Sequence, residues 1–101
     1  MTTEAHVRMV GPVMRGIDGE LAHAVAEAME MDNPDTEIVV DDRGGYVRIS
    51  AQQRCRLTGA SLSEVLGRRF PLAELEPSLS GFAGRMRTGD DEIVWFLERE
   101  D

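Results

Sequence analysis

The stretch EIVVDDRGGYVRIS, Glu37 to Ser50, constrains this chain most. Two short apolar runs alternate at period two, the mark of strands with one buried face. Between them lies Asp42-Arg43-Gly44-Gly45, where glycine takes positive φ at little steric cost. With Arg43-Gly44 as a two-residue loop, Ile38 opposes Ile49 and Val40 opposes Val47. Four β-branched side chains then share one face, and Val39, Tyr46 and Arg48 share the other. A slip of one residue would spoil that match. An aromatic, an arginine and a valine together read as a contact surface.

The flanking chain repeats a simple order. Val7 to Met14 (VRMVGPVM) reads as a first strand, and Gly11-Pro12 places it at an edge or a bulge, because proline donates nothing to a ladder. Asp18 is the expected N-cap of a helix running to Met31. Leu21, Val25, Ala28 and Met29 form its buried stripe. Glu20, His23, Glu27 and Glu30 form its polar face, with His23 as a partner of Glu20 and Glu27. Asp32-Asn33-Pro34-Asp35 stops the helix. After the hairpin, Arg54 to Thr58 is a strand with Cys55 and Leu57 inward. Ser61 and Glu64 make a capping box, with Gly67 at the C-terminus of that helix. Leu72 to Glu76 is a helical turn ended by Pro77. Ser80 to Arg87 is one strand, Thr88 to Asp91 a turn, and Glu92 to Leu97 the last strand. Strand, helix, hairpin recurs twice, so the expected fold is α+β: a compact single domain, 1–101, of two βαββ units with helices packed on antiparallel sheet. Residues 1–6 are expected to be loose and 98–101 to form a charged tail.

The chain has 101 residues, which fits one domain and buries roughly 65% of the unfolded surface. The formal net charge is -8, from 19 acidic residues against 11 basic ones. That balance argues against nucleic acid and for a basic partner reached by electrostatic steering. All 11 basic residues are arginine, whose planar fork suits interfaces. One cysteine, no long apolar run and no charged-then-apolar leader fit a cytoplasmic protein without a membrane span.

Chemistry-bearing patterns are sparse. His6, His23 and Cys55 do not have the spacing of a zinc site. Cys55 in an alternating strand reads as a buried structural thiol rather than a nucleophile. There is no phosphate-binding glycine loop, and Asp41-Asp42-Arg43-Gly44 lacks the spaced oxygens of a calcium loop. Met29 and Met86 read as core, and Met9 and Met14 as interface candidates. Trp95 and Phe96 alternate on the last strand, with core packing the better assignment for both. From residue chemistry alone this is a small acidic binding protein.

Several ordered blocks carry a resemblance: VGPVMRG (Val10 to Gly16), EMDNP (Glu30 to Pro34), EIVVDDRGGYVRI (Glu37 to Ile49), LGRRF (Leu66 to Phe70) and LAELEPSLSGFAG (Leu72 to Gly84). Together they resemble the effector (coupling) proteins of bacterial multicomponent di-iron monooxygenases, nearest to the toluene and alkene group. The resemblance implies a cofactor-less, non-catalytic subunit, monomeric when free, that docks on the large subunit of a di-iron hydroxylase. Docking would raise the rate, coupling and selectivity of NADH- and O2-dependent hydrocarbon oxidation, in competition with a Rieske ferredoxin. It also points to Val10, Gly11, Pro12, Asp32, Asn33, Arg43, Tyr46 and Arg48 as hydroxylase contacts on loops or an outward face. Gly44-Gly45 departs from the bulkier hairpin tips expected in relatives and implies a more flexible tip. Two other readings stay open: an acidic adaptor unrelated to oxygenases, and a small enzyme using Cys55.

Overall fold

The hairpin forms as β2 (Val39–Asp42) and β3 (Tyr46–Gln52), in a computed structural model that describes residues 8–97. Its register differs from the expected one: Val40 opposes Ile49 and Asp42 opposes Val47. The loop is Gly44-Gly45. Gly44 sits at φ +81, Gly45 N donates to Arg43 O at 2.9 Å, and Arg43 N donates to Tyr46 O at 2.8 Å. The Asp42 carboxylate accepts from Gly44 N at 2.9 Å, drawing Gly44 into the turn. A two-residue shift keeps every side chain on its face. Val47, Ile49 and Ala51 are therefore buried as expected, and Val39, Tyr46 and Arg48 point outward. Val40, on the edge strand, is left 39% exposed.

β1 (Met9–Arg15) is an interior strand, because the first sheet runs β2-β3-β1-β5. Its Gly11-Pro12 step is therefore neither at an edge nor in a bulge, because the register to β3 is the same on both sides of it. The ladder to β3 pairs Val10 with Ala51 and Val13 with Arg48, and skips both residues between. Gly11 adopts φ +147 so close to β3 that a Cβ would strike the Ile49 carbonyl. The register shift in β1 lies further on, between Val13 and Met14, in the pairing with β5.

A 3-10 turn (Gly16–Asp18) leads into α1 (Gly19–Asp32), which buries Ala22, Val25, Ala28 and Met29 and leaves Leu21 partly covered. The cap expected of the Asp18 side chain lies outside the described residues, as do the loose start at 1–6 and the tail at 98–101. His23 is exposed, but its partner is Asp42 on the hairpin, at 3.8 Å, rather than Glu20 or Glu27.

The second half runs β4 (Arg54–Thr58), α2 (Gly59–Leu66), a 3-10 helix (Leu72–Ser78) that includes Pro77, β5 (Leu79–Ala83), β6 (Arg85–Thr88) and β7 (Glu92–Phe96). Thr58, not Ser61, caps α2, accepting from Ser61 N at 3.2 Å. Gly67 ends it at φ +74, its N–H on the Ser63 and Glu64 carbonyls, as expected. The strand expected over Ser80 to Arg87 is two strands. Gly84, at φ +87, sends β5 to the first sheet and β6 to a second one, β4-β7-β6. The α+β domain with antiparallel sheets holds, and its two halves interlock through that crossover. Val10, Met14, Met29, Ile49, Leu57, Leu62 and Trp95 are fully buried between sheets and helices. Met14 is therefore core, not an interface residue.

Candidate functional site

Cys55 is buried, its Sγ 3.6 Å from the Val10 carbonyl, and burial pushes its thiol up to about 12. A thiol held protonated in that way is inert at neutral pH. Among the described residues no group of three His, Cys, Asp or Glu side chains is placed to hold a metal ion.

The eight expected contact residues divide into three sets. Val10, Gly11 and Pro12 are buried inside the first sheet. Asp32 and Asn33 are half-buried and already occupied. The Asp32 carboxylate accepts from Thr58 N at 2.8 Å, from Thr58 Oγ1 and from Ser61 Oγ at 2.7 Å. The Asn33 amide donates to Arg56 O at 2.8 Å and accepts from Arg56 N at 3.0 Å, pairing the open edge of β4 as a strand would. In the structure, Gly11 lets β1 approach β3, and Asp32 and Asn33 join α1 to β4 and α2.

Arg43, Tyr46 and Arg48 are exposed and lie together at the hairpin tip. Arg48 stacks over the Tyr46 ring at 5.7 Å. Asp41, directly opposite Arg48, accepts from Arg43 Nε at 2.9 Å. That bond and the two guanidinium charges hold the Asp41 carboxyl below its usual range, despite partial desolvation. The tip is tied to the end of β1. Gly16 N donates to Gly45 O at 3.0 Å, and a Cβ on Gly16 would collide with the Gly44 carbonyl. Arg15, opposite Tyr46, donates through Nε to Pro77 O at 3.0 Å.

The same junction presents a residue that sequence reading passed over. Ile17, next to Gly16, is 88% exposed. Its signal was an apolar side chain set between Gly16 and Asp18, outside every periodic run. Ile17, Tyr46 and the arginines give an apolar-aromatic centre with a charged rim, the composition of a protein-binding surface.

A known family profile matches residues 8–96. The chain belongs to the MmoB/DmpM family. It is 49% identical over 90 residues to the effector subunit of the alkene monooxygenase system of Xanthobacter autotrophicus (strain ATCC BAA-1158 / Py2), covering 89% of this chain and 87% of that one. The regulatory protein in a phenol hydroxylase–regulatory protein complex superposes with TM-score 0.71 at 26% identity, covering 90% of this chain and all of that one. Regulatory protein B of soluble methane monooxygenase gives TM-score 0.63 at 26% identity, covering 89% of this chain and 65% of that chain. As a member of the MmoB/DmpM family the chain is an effector, or regulatory, subunit of the multicomponent monooxygenase type.

Proposed function

We propose that this MmoB/DmpM protein is a non-catalytic effector that docks on a di-iron hydroxylase through the locked tip of its β2–β3 hairpin. Arg43, Tyr46 and Arg48, with Ile17 beside them, make the contact. One observation carries the reading: an exposed aromatic and apolar centre sits on a tip held rigid by the Gly16–Gly45 hydrogen bond. A rigid, preorganised surface loses little entropy on association. The alkene monooxygenase relative and the phenol hydroxylase complex support the choice of partner. The substrate class is a hydrocarbon, an alkene or an aromatic such as toluene, oxidised with NADH and O2. The protein works in the cytoplasm, is monomeric when free, and competes with a Rieske ferredoxin for the hydroxylase.

A protein with no reacting group changes a rate only by binding one state of its partner better than another. Each tenfold change in rate requires about 1.4 kcal/mol of differential binding, which a few contacts at Tyr46 and its neighbours supply. The experiment is reconstitution. The purified protein oxidises nothing by itself, yet raises product formed per NADH when added to hydroxylase, ferredoxin and reductase. Unchanged rate and coupling at saturating protein would refute the reading.

A further inference from the structure

The second sheet carries a feature that the hairpin tip does not use. Residues directly opposite each other in an antiparallel pair share a face. On the outward face of β4-β7-β6, Arg54 and Arg85 flank Phe96, and Arg56 and Arg87 flank Val94. Arg87 stacks over the Phe96 ring at 5.1 Å. Arg56 pairs with Glu92 at 3.0 Å, the carboxylate on this face. Val94 points outward yet is 1% exposed, lying between two arginines whose methylene stems are long enough to cover it. Four of the chain's 11 arginines thus stand on three short strands, in a protein of net charge -8.

We propose that this arginine face docks on a carboxylate-rich patch of the hydroxylase surface, as a second contact beside the hairpin tip. It rests on the effector reading above and adds the chemistry of a second contact. Guanidinium forks match carboxylates in geometry, and Phe96 supplies an apolar anchor between them. A folded partner with a local acidic patch fits better than a nucleic acid. At ordinary salt, charges more than about 10 Å away are screened, so a small patch meets only the arginines. A long phosphate chain would run on past them to carboxylates elsewhere, in a chain that is strongly acidic as a whole, at net charge -8.

The test compares the natural protein with R85E/R87E, and with R85K/R87K, in titrations of hydroxylase at several salt concentrations. Arg85→Glu alone serves as a second reversal, because it leaves the Arg87–Phe96 stack in place. Reversal is expected to raise Kd about tenfold and to flatten its salt dependence, while R85K/R87K keeps most of the affinity and Arg85→Glu keeps the thermal midpoint of the natural protein. Natural protein that binds hydroxylase, with R85E/R87E and Arg85→Glu binding as tightly, would overturn the arginine face and leave the effector reading intact. Natural protein that does not bind hydroxylase at all would overturn both. Retention of the natural protein on short duplex DNA at 0.1 M salt, lost on reversal, would overturn it in favour of a polyanion site.

Discussion

Asp32 gathers three hydrogen-bond donors from β4 and α2 onto one carboxylate, at the point where α1 ends. Removing it leaves Thr58 N and two hydroxyls half-buried without that acceptor, and takes a negative charge from the N-terminus of α2. Asp32→Ala is expected to cost about 2–3 kcal/mol, read as a lower denaturation midpoint in urea with an unchanged slope. Cys55 sets a different kind of limit. Burial raises its thiol from the ordinary 9.0 to about 12, so the folded chain holds that proton more tightly than the unfolded one. The resulting stability is intact below pH 9 and falls as pH rises from there through about 12, by about 1.4 kcal/mol per pH unit. Native protein should react with a thiol reagent at pH 8 only as fast as it opens, and Cys55→Ala should flatten the alkaline limb of the stability profile.

At the scale of elements, the hairpin shows what sequence reports and what it leaves out. The alternation of Val47, Ile49 and Ala51 against Tyr46 and Arg48 sorted the two faces of β3, because side-chain period is a local property. The loop was not legible to the residue. Two adjacent glycines allow either position for positive φ, and only the Asp42 carboxylate on Gly44 N selects one. The hydrogen bonds of Asp32 and Asn33 were not legible for a related reason: their partners, Thr58, Ser61 and Arg56, are 23 to 29 residues away. Gly11-Pro12 lies in a strand interior rather than at an edge, because a proline that pairs no ladder hydrogen bond looks the same in sequence at either place. The exposed set fared better, since Arg43, Tyr46 and Arg48 are outward in any register of that parity. Tyr46→Ala should therefore weaken hydroxylase binding about tenfold or more, while the thermal midpoint moves little, because the ring is already 36% exposed. A large fall in midpoint would mean that the Tyr46–Arg48 stack holds the hairpin rather than greeting a partner.

Across the whole molecule, the chain steps directly from one sheet to the other at two points, Gln53 between β3 and β4 and Gly84 between β5 and β6. Gly84 passes the chain from one sheet to the other, with Val10 Cγ1 2.6 Å and the Phe96 carbonyl 2.7 Å from where a Cβ would stand. Gly84→Ala combines that clash with a positive φ, and is expected to cost about 2–4 kcal/mol. Both sheets should lose protection together in hydrogen exchange, and independent loss of one would contradict the interlock. The alternation Phe82, Gly84, Met86 concealed this crossing, since parity along a strand does not say which sheet it joins. The crossing has a mechanical consequence. Because the close packing at Gly84 joins the two sheets, the hairpin tip and the arginine-bearing strands are carried on one connected frame, like the jaws of a caliper. Any partner that touches both is measured against that frame, and must bring its own two surfaces to it.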